Sequence, residues 1–133
     1  MYKLGEKSKL SVKGVDQLLI ECVERALVKS KYDMTIPWMG GLRTTEEQQA
    51  IFSEGHSKCD GVKVTSYHQT GNAIDVIPVG DKPYENTRAL NHFANLMLET
   101  WQIMIAEGKA KKIMRWGGTF GSDGWDKPHF EIR

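Results

Sequence analysis

The sequence has no dominant sign of charge. Lys+Arg total 18 and Asp+Glu 17 in 133 residues, a formal net charge of +1. No global basic field exists to hold a nucleic-acid backbone, so a purely electrostatic DNA or RNA binder is excluded. Long hydrophobic runs are also missing. The run Leu18-Leu19-Ile20 stops at Glu21, far short of the ~20 apolar residues of a membrane span, so no membrane insertion is expected. The stretch from Met1 to Leu10 carries charges throughout, and no secretory signal peptide is expected from it. Two cysteines, Cys22 and Cys59, are too few for a disulfide framework. They are expected to be a core thiol and a loop thiol in a reducing compartment. No repeat, low-complexity tract or linker interrupts the chain, so residues 1–133 are expected to form one domain. The 40% hydrophobic and 26% charged fractions are those of an ordinary globular protein.

Hydrophobic periodicity supplies the elements. Val15, Leu18, Leu19, Cys22, Val23, Ala26 and Leu27 recur at three- and four-residue steps, which predicts a helix over residues 13–30 with Ser11 as its cap. Met34–Met39 reads as a short strand, with Pro37 confining it to an edge or an end. Thr44 and Glu47 have the spacing of a capping box, and the helix they open ends at Gly55. Residues 56–67 read as an irregular loop and 73–79 as a strand ended by Pro78. Asn86 caps a long helix over 87–107, whose stripe is Leu90, Phe93, Ala94, Met97, Trp101 and Met104. Short strands at 113–116 and 129–132 flank the Gly-rich loop 117–128. The order predicts a small α+β fold, with about three helices packed on a short antiparallel sheet.

Two segments carry the chemistry. In Ser66-Tyr67-His68-Gln69-Thr70-Gly71-Asn72-Ala73-Ile74-Asp75, a turn joins a histidine to an aspartate set among apolar strand residues. An ionised carboxylate placed there needs a cation or a metal. In Asp126-Lys127-Pro128-His129-Phe130-Glu131, Phe130 faces the core, while His129 and Glu131 share the opposite face. Pro128 restricts Lys127 to extended geometry, so that Asp126 and His129 can address one point. Alone, the first segment also reads as a strand aspartate bonded to backbone amides beside a solvated His68, and the second as a solvated loop aspartate with a capped histidine. Together, His68, Asp75 and His129 supply three ligands of the kind zinc takes, leaving a fourth position for water. Asp126 remains as a base for that water, and metal plus base can hydrolyse an amide near neutral pH. The chain contains no HExxH, which excludes the helical zincin arrangement. His56 with Cys59 lacks further ligands nearby, and His92 is expected to face solvent.

The string Ser66-x-His68-x-x-Gly71-x-Ala73-x-Asp75, followed by Asp126-x-x-His129, resembles the D-alanyl-D-alanine carboxypeptidase/dipeptidase family of zinc peptidases. That family is structurally related to the hedgehog N-terminal domain. Within it, the chain is most similar to compact phage endolysins that act as L-alanyl-D-glutamate endopeptidases. The resemblance extends from the first amphipathic helix through Gly41-Leu42-Arg43-Thr44 to Trp116-Gly117-Gly118.

The resemblance implies Zn²⁺ bound by His68, Asp75 and His129, with Asp126 as general base where many members carry Glu. It implies that Arg43 acts on the substrate side, holding a carboxylate or stabilising the oxyanion. A surface ion pair of Arg43 with Glu46 or Glu47 is the alternative. Ser66 either contacts substrate or ligand, or stabilises the turn. The implied partner is the peptidoglycan stem peptide, met by a monomer with no cell-wall-binding domain. The implied setting is the host cytoplasm until lysis, then the cell wall. Two other functions stay open at this point: a D-alanyl-D-alanine carboxypeptidase or dipeptidase, and a non-catalytic zinc-stabilised binding module.

Overall fold

The two strongest apolar stripes of the chain pack against each other. In the computed structural model, which describes residues 1–133, they form α2 (Gln17–Lys29) and α4 (Thr87–Ala106). Leu19, Cys22, Val23, Ala26 and Leu27 of α2 share one core with Phe93, Ala94, Met97, Trp101 and Met104 of α4. Each large apolar side chain fully buried there contributes roughly 1.5–3 kcal/mol. The Cys22 thiol donates to the Met97 carbonyl at 3.4 Å, and burial pushes its pKa up to about 12. It is an inert core group, and both cysteines are free. No helix is long and apolar enough to cross a membrane.

The architecture is α+β, with four helices rather than three. The additional one is α1 (Glu6–Ser11), whose buried Ser8 hydroxyl lies 2.8 Å from the Thr35 hydroxyl. Ser11 therefore ends α1 and does not cap α2. Asp16 does, accepting from the Leu18 amide at 2.9 Å. The other caps match the spacing that predicted them. Thr44 and Glu47 form a reciprocal capping box on α3 (Thr45–Ser53), and Asn86 accepts from the Ala89 amide at the start of α4.

The sheet is divided. The predicted strand 34–39 is only β1 (Met34–Thr35), because Pro37 cannot donate to a ladder. The predicted strand 73–79 splits into β2 (Ala73–Asp75) and β3 (Ile77–Pro78). At Val76 the chain leaves one ladder, its amide bonding to the Pro128 carbonyl at 2.9 Å. β3 then pairs with β1 in a small sheet of its own, while β2 pairs with β5 (His129–Ile132). β4 (Met114–Trp116) lies on the other side of β5, and every pairing is antiparallel.

The register of the three-stranded sheet creates two unlike faces. Ile74 stands opposite Phe130, and Phe130 meets Phe93 of α4 edge-on at 6.4 Å between centroids. Asp75 stands opposite His129, and both Ala73 and Arg115 stand opposite Glu131. Because side chains alternate across a strand, the sheet buries Ile74, Phe130 and Ile132 on the helix side. It carries Asp75, His129, Glu131 and Arg115 on the other.

Candidate metal centre

His68 reaches the sheet from a single 3₁₀ turn, Tyr67–Thr70. The Ser66 hydroxyl accepts from the His68 amide at 3.2 Å and starts the turn. Gly71 ends it in the left-handed region at φ 76°, a conformation that side chains other than Gly rarely adopt. A Cβ at Gly71 would also strike the Gly14 carbonyl, so the turn is seated directly against the α1–α2 connection. On the opposite side, Gly117 packs so closely on the Asp126 carbonyl that a Cβ there would overlap it. This contact fixes the loop that presents Asp126.

These elements bring three ligand atoms to one point. His68 Nε2 lies 3.1 Å from His129 Nδ1 and 3.2 Å from Asp75 Oδ1, and His129 Nδ1 lies 3.3 Å from the same oxygen. The remaining ring nitrogens are engaged elsewhere. His68 Nδ1 lies 2.9 Å from the Gly41 carbonyl and His129 Nε2 2.8 Å from Glu131 Oε1. A carbonyl and a carboxylate accept only, so each ring, when neutral as a metal ligand must be, carries its proton on the outer nitrogen. Three lone pairs are thereby turned inward on one another. A tetrahedral metal with bonds of about 2.0–2.2 Å separates its ligand atoms by roughly 3.3–3.6 Å, a few tenths of an ångström wider than the edges of this triangle. The donor set fits a single divalent cation, and the outer hydrogen bonds are those that orient metal-binding histidines.

The electrostatics agree with a site built for positive charge. Burial alone would raise the Asp75 carboxyl, but the His68 and His129 imidazoles hold it far below the usual carboxylate range. Burial alone would lower the His129 imidazole, but the hydrogen bonds it donates to the Asp75 and Glu131 carboxylates outweigh it and, with no metal bound, raise it to about 9. Asp126 behaves differently. Burial first, and then the nearby Asp75 carboxylate, push its carboxyl up to about 6. Its Oδ2 lies 3.9 Å from His129 Nδ1, outside the three-membered ligand cluster.

The triangle lies in a cleft of about 430 Å³ lined by Arg43, Ser66, His68, Asp75, Arg115, Asp126, His129 and Glu131, among others. The cleft therefore gathers all six residues singled out by the two motifs and by Arg43. Arg43 makes no pair with Glu46 or Glu47. Its Nε donates to the Met39 carbonyl at 2.7 Å, Nη1 to Gln48 Oε1 at 3.0 Å and Nη2 to Asp75 Oδ2 at 3.2 Å.

The family model for the phage L-alanyl-D-glutamate peptidase matches residues 1–132. The chain belongs to this peptidase family. Among solved structures, the L-Ala D-Glu endopeptidase ChiX of Serratia marcescens has a TM-score of 0.77 at 22% identity, covering 100% of this chain and 90% of that one. That likeness establishes a shared fold. A comparison with curated proteins finds no match.

Two residues around the candidate site have roles that the motif reading misses. Glu131, only 5% exposed, orients His129. The strand alternation that places it beside His129 was the available signal. Gln48, fully buried at 0% exposure, bridges Arg43 to the loop after α3. Its amide donates to Ser57 Oγ at 2.9 Å and to the Cys59 carbonyl at 2.8 Å. Nothing in the weakly apolar α3 pattern marks it. The loop itself is irregular, as expected, but well tied. Asp60 Oδ1 accepts from the amides of Val62, Lys63 and Val64. His92 is half-buried rather than solvent-facing, accepting from the Lys31 amide at 3.2 Å and packing edge-on against Tyr32.

Proposed function

We propose that the peptidase holds one Zn²⁺ through His68 Nε2, Asp75 Oδ1 and His129 Nδ1, and that it cuts the L-alanyl-D-glutamate bond of the peptidoglycan stem peptide as a phage endolysin. The observation that supports this most directly is the inward triangle of lone pairs, whose two imidazoles have their outer nitrogens bonded to acceptors. Bound zinc supplies Lewis acidity toward the scissile carbonyl and lowers the pKa of water in the site.

The chain's own residues do the rest. Asp126 lies beside the candidate ligands but outside their cluster, where a carboxylate can take a proton from water. Its Oδ2 removes the proton of the attacking water and returns it to the departing amine of D-glutamate. Arg43 holds Asp75 Oδ2 and so fixes the ligand Oδ1. The two guanidinium N–H groups left over, one on each terminal nitrogen, can meet the developing oxyanion. Ser66 holds the His68 turn. The enzyme works as a monomer, stays in the host cytoplasm until lysis and then acts on the cell wall.

Digestion of muropeptides followed by mass spectrometry tests the bond assignment. The expected products are peptides with a new N-terminal D-glutamate and glycan-linked L-alanine, lost on chelation and restored by zinc. Free D-alanine as the sole product would overturn it.

Arg43 has a separate test. Arg43→Ala is expected to weaken zinc binding by about 10–100-fold, the usual effect of removing an outer partner of a ligand. It should also lower kcat when zinc is saturating. Arg43→Lys should recover only part of either, because the fork that reaches Met39, Gln48 and Asp75 together is lost. Unchanged zinc affinity in Arg43→Ala would remove the orienting role, and unchanged kcat at saturation would remove the oxyanion role.

A further inference from the structure

The cations facing the cleft are unequally engaged. Arg43 spends one N–H of each guanidinium nitrogen on the fold. Of the cleft carboxylates, Asp75 is held by Arg43 and the two imidazoles, and Glu131 by His129. Arg115 joins none of the ion pairs of the fold and donates none of its side-chain hydrogen bonds, although its five N–H groups have no other use.

Its position is nonetheless well defined. Arg115 lies in the middle of β4, opposite Glu131, on the same sheet face as Asp75 and His129. Its guanidinium rests 4.8 Å above the Phe120 ring, and that ring packs 5.6 Å from the His129 imidazole. One aromatic ring thus spaces an unpaired guanidinium from the metal triangle. Resting on the ring and without a protein acceptor, the guanidinium keeps its planar N–H fork for a carboxylate in a bidentate pair.

The L-alanyl-D-glutamate substrate brings such a group. D-glutamate carries a free α-carboxylate on the carbon bearing the scissile amide nitrogen. We infer that Arg115 is the specificity-determining residue of the cleft and binds this α-carboxylate, fixing the neighbouring amide against the site. The inference rests on the bond assignment of the proposed function. Lys58 is the other cation of the cleft without a carboxylate partner. It is exposed, and its ammonium sits 4.7 Å from the Trp125 ring. A compact, hydrated ammonium on a loop lacks the planar fork that a bidentate pair requires, so Lys58 serves as the comparison residue.

The test pairs two stem peptides that differ at one group: D-glutamate with its free α-carboxylate, and the same peptide with the α-carboxamide. The zinc-loaded wild-type enzyme is expected to favour the acid in kcat/KM by roughly 10- to 100-fold, the range of a charge-assisted hydrogen-bond pair. In Arg115→Gln that ratio should collapse toward one, mainly through KM, with zinc content and melting temperature at wild-type values. Arg115→Lys should recover part of the ratio, and Lys58→Gln should keep it. Equal losses on both peptides in Arg115→Gln, or an unchanged ratio, would overturn the inference. So would transfer of the effect to Lys58→Gln. A wild-type enzyme that cuts neither peptide but releases D-alanine would overturn the bond assignment, and the inference with it.

Discussion

Replacing His129 by Ala is expected to abolish zinc binding and hydrolysis together. Its Nδ1 is one corner of a three-atom cluster with edges of 3.1, 3.2 and 3.3 Å, so two ligands would remain. Zinc contributes several kcal/mol of transition-state stabilisation in sites of this kind, which corresponds to a rate loss of about 10³-fold or more. The same result is expected for His68→Ala and Asp75→Ala. Metal analysis of the purified variants and the thermal shift on adding zinc give independent readings. At zinc concentrations near 100 times Kd, the wild-type protein gains about 2.7 kcal/mol of apparent stability, whereas the variants should gain almost none. Full zinc occupancy in folded His129→Ala would refute the ligand assignment.

Asp126→Ala should separate metal binding from catalysis. Asp126 stands 3.9 Å from His129 Nδ1 and is not a member of the ligand cluster. The variant is therefore expected to keep its zinc and its fold while kcat falls roughly 10²–10⁴-fold, the range for a residue acting in proton transfer. Asp126→Asn tests the same point with the shape retained. It should be nearly as inactive, because an amide accepts no proton at this pH. Zinc loss in either variant would make Asp126 a ligand. Activity at the wild-type level would remove it from the mechanism.

Three of the four helices, α2, α3 and α4, follow from local sequence, whereas the short α1 carries no apolar stripe to mark it. The stripes of α2 and α4 recur at helical spacing, and the caps Thr44, Glu47 and Asn86 act within four residues of their partners. Where local signals competed, the boundaries moved. Ser11 was expected to cap α2, but the chain turns at Gly14 against Gly71 and the cap is Asp16, whose amide donates to the Gly71 carbonyl at 2.9 Å. The strand from 73 to 79 looked continuous because it is apolar and rich in β-branched residues, and propensity carries no information about which ladder each half joins.

The residue types of the candidate metal centre and their spacing were legible for a similar reason. A histidine and an aspartate seven residues apart across a glycine turn, with Asp-x-x-His elsewhere, form a local chemical pattern. Sequence by itself determined the apolar stripes, the His68, Asp75, His129 and Asp126 set, and the alternation that puts Glu131 beside His129. Only the tertiary structure decided which ring nitrogens face inward, because Gly41, 27 residues from His68, supplies the acceptor that selects the tautomer. It also decided that Arg43 reaches across 32 residues to Asp75, and that Arg115 lies on the site face of the sheet. Side-chain period and capping are set by neighbours along the chain, whereas tautomer, ion-pair partner and strand register depend on groups that meet only when distant segments pack.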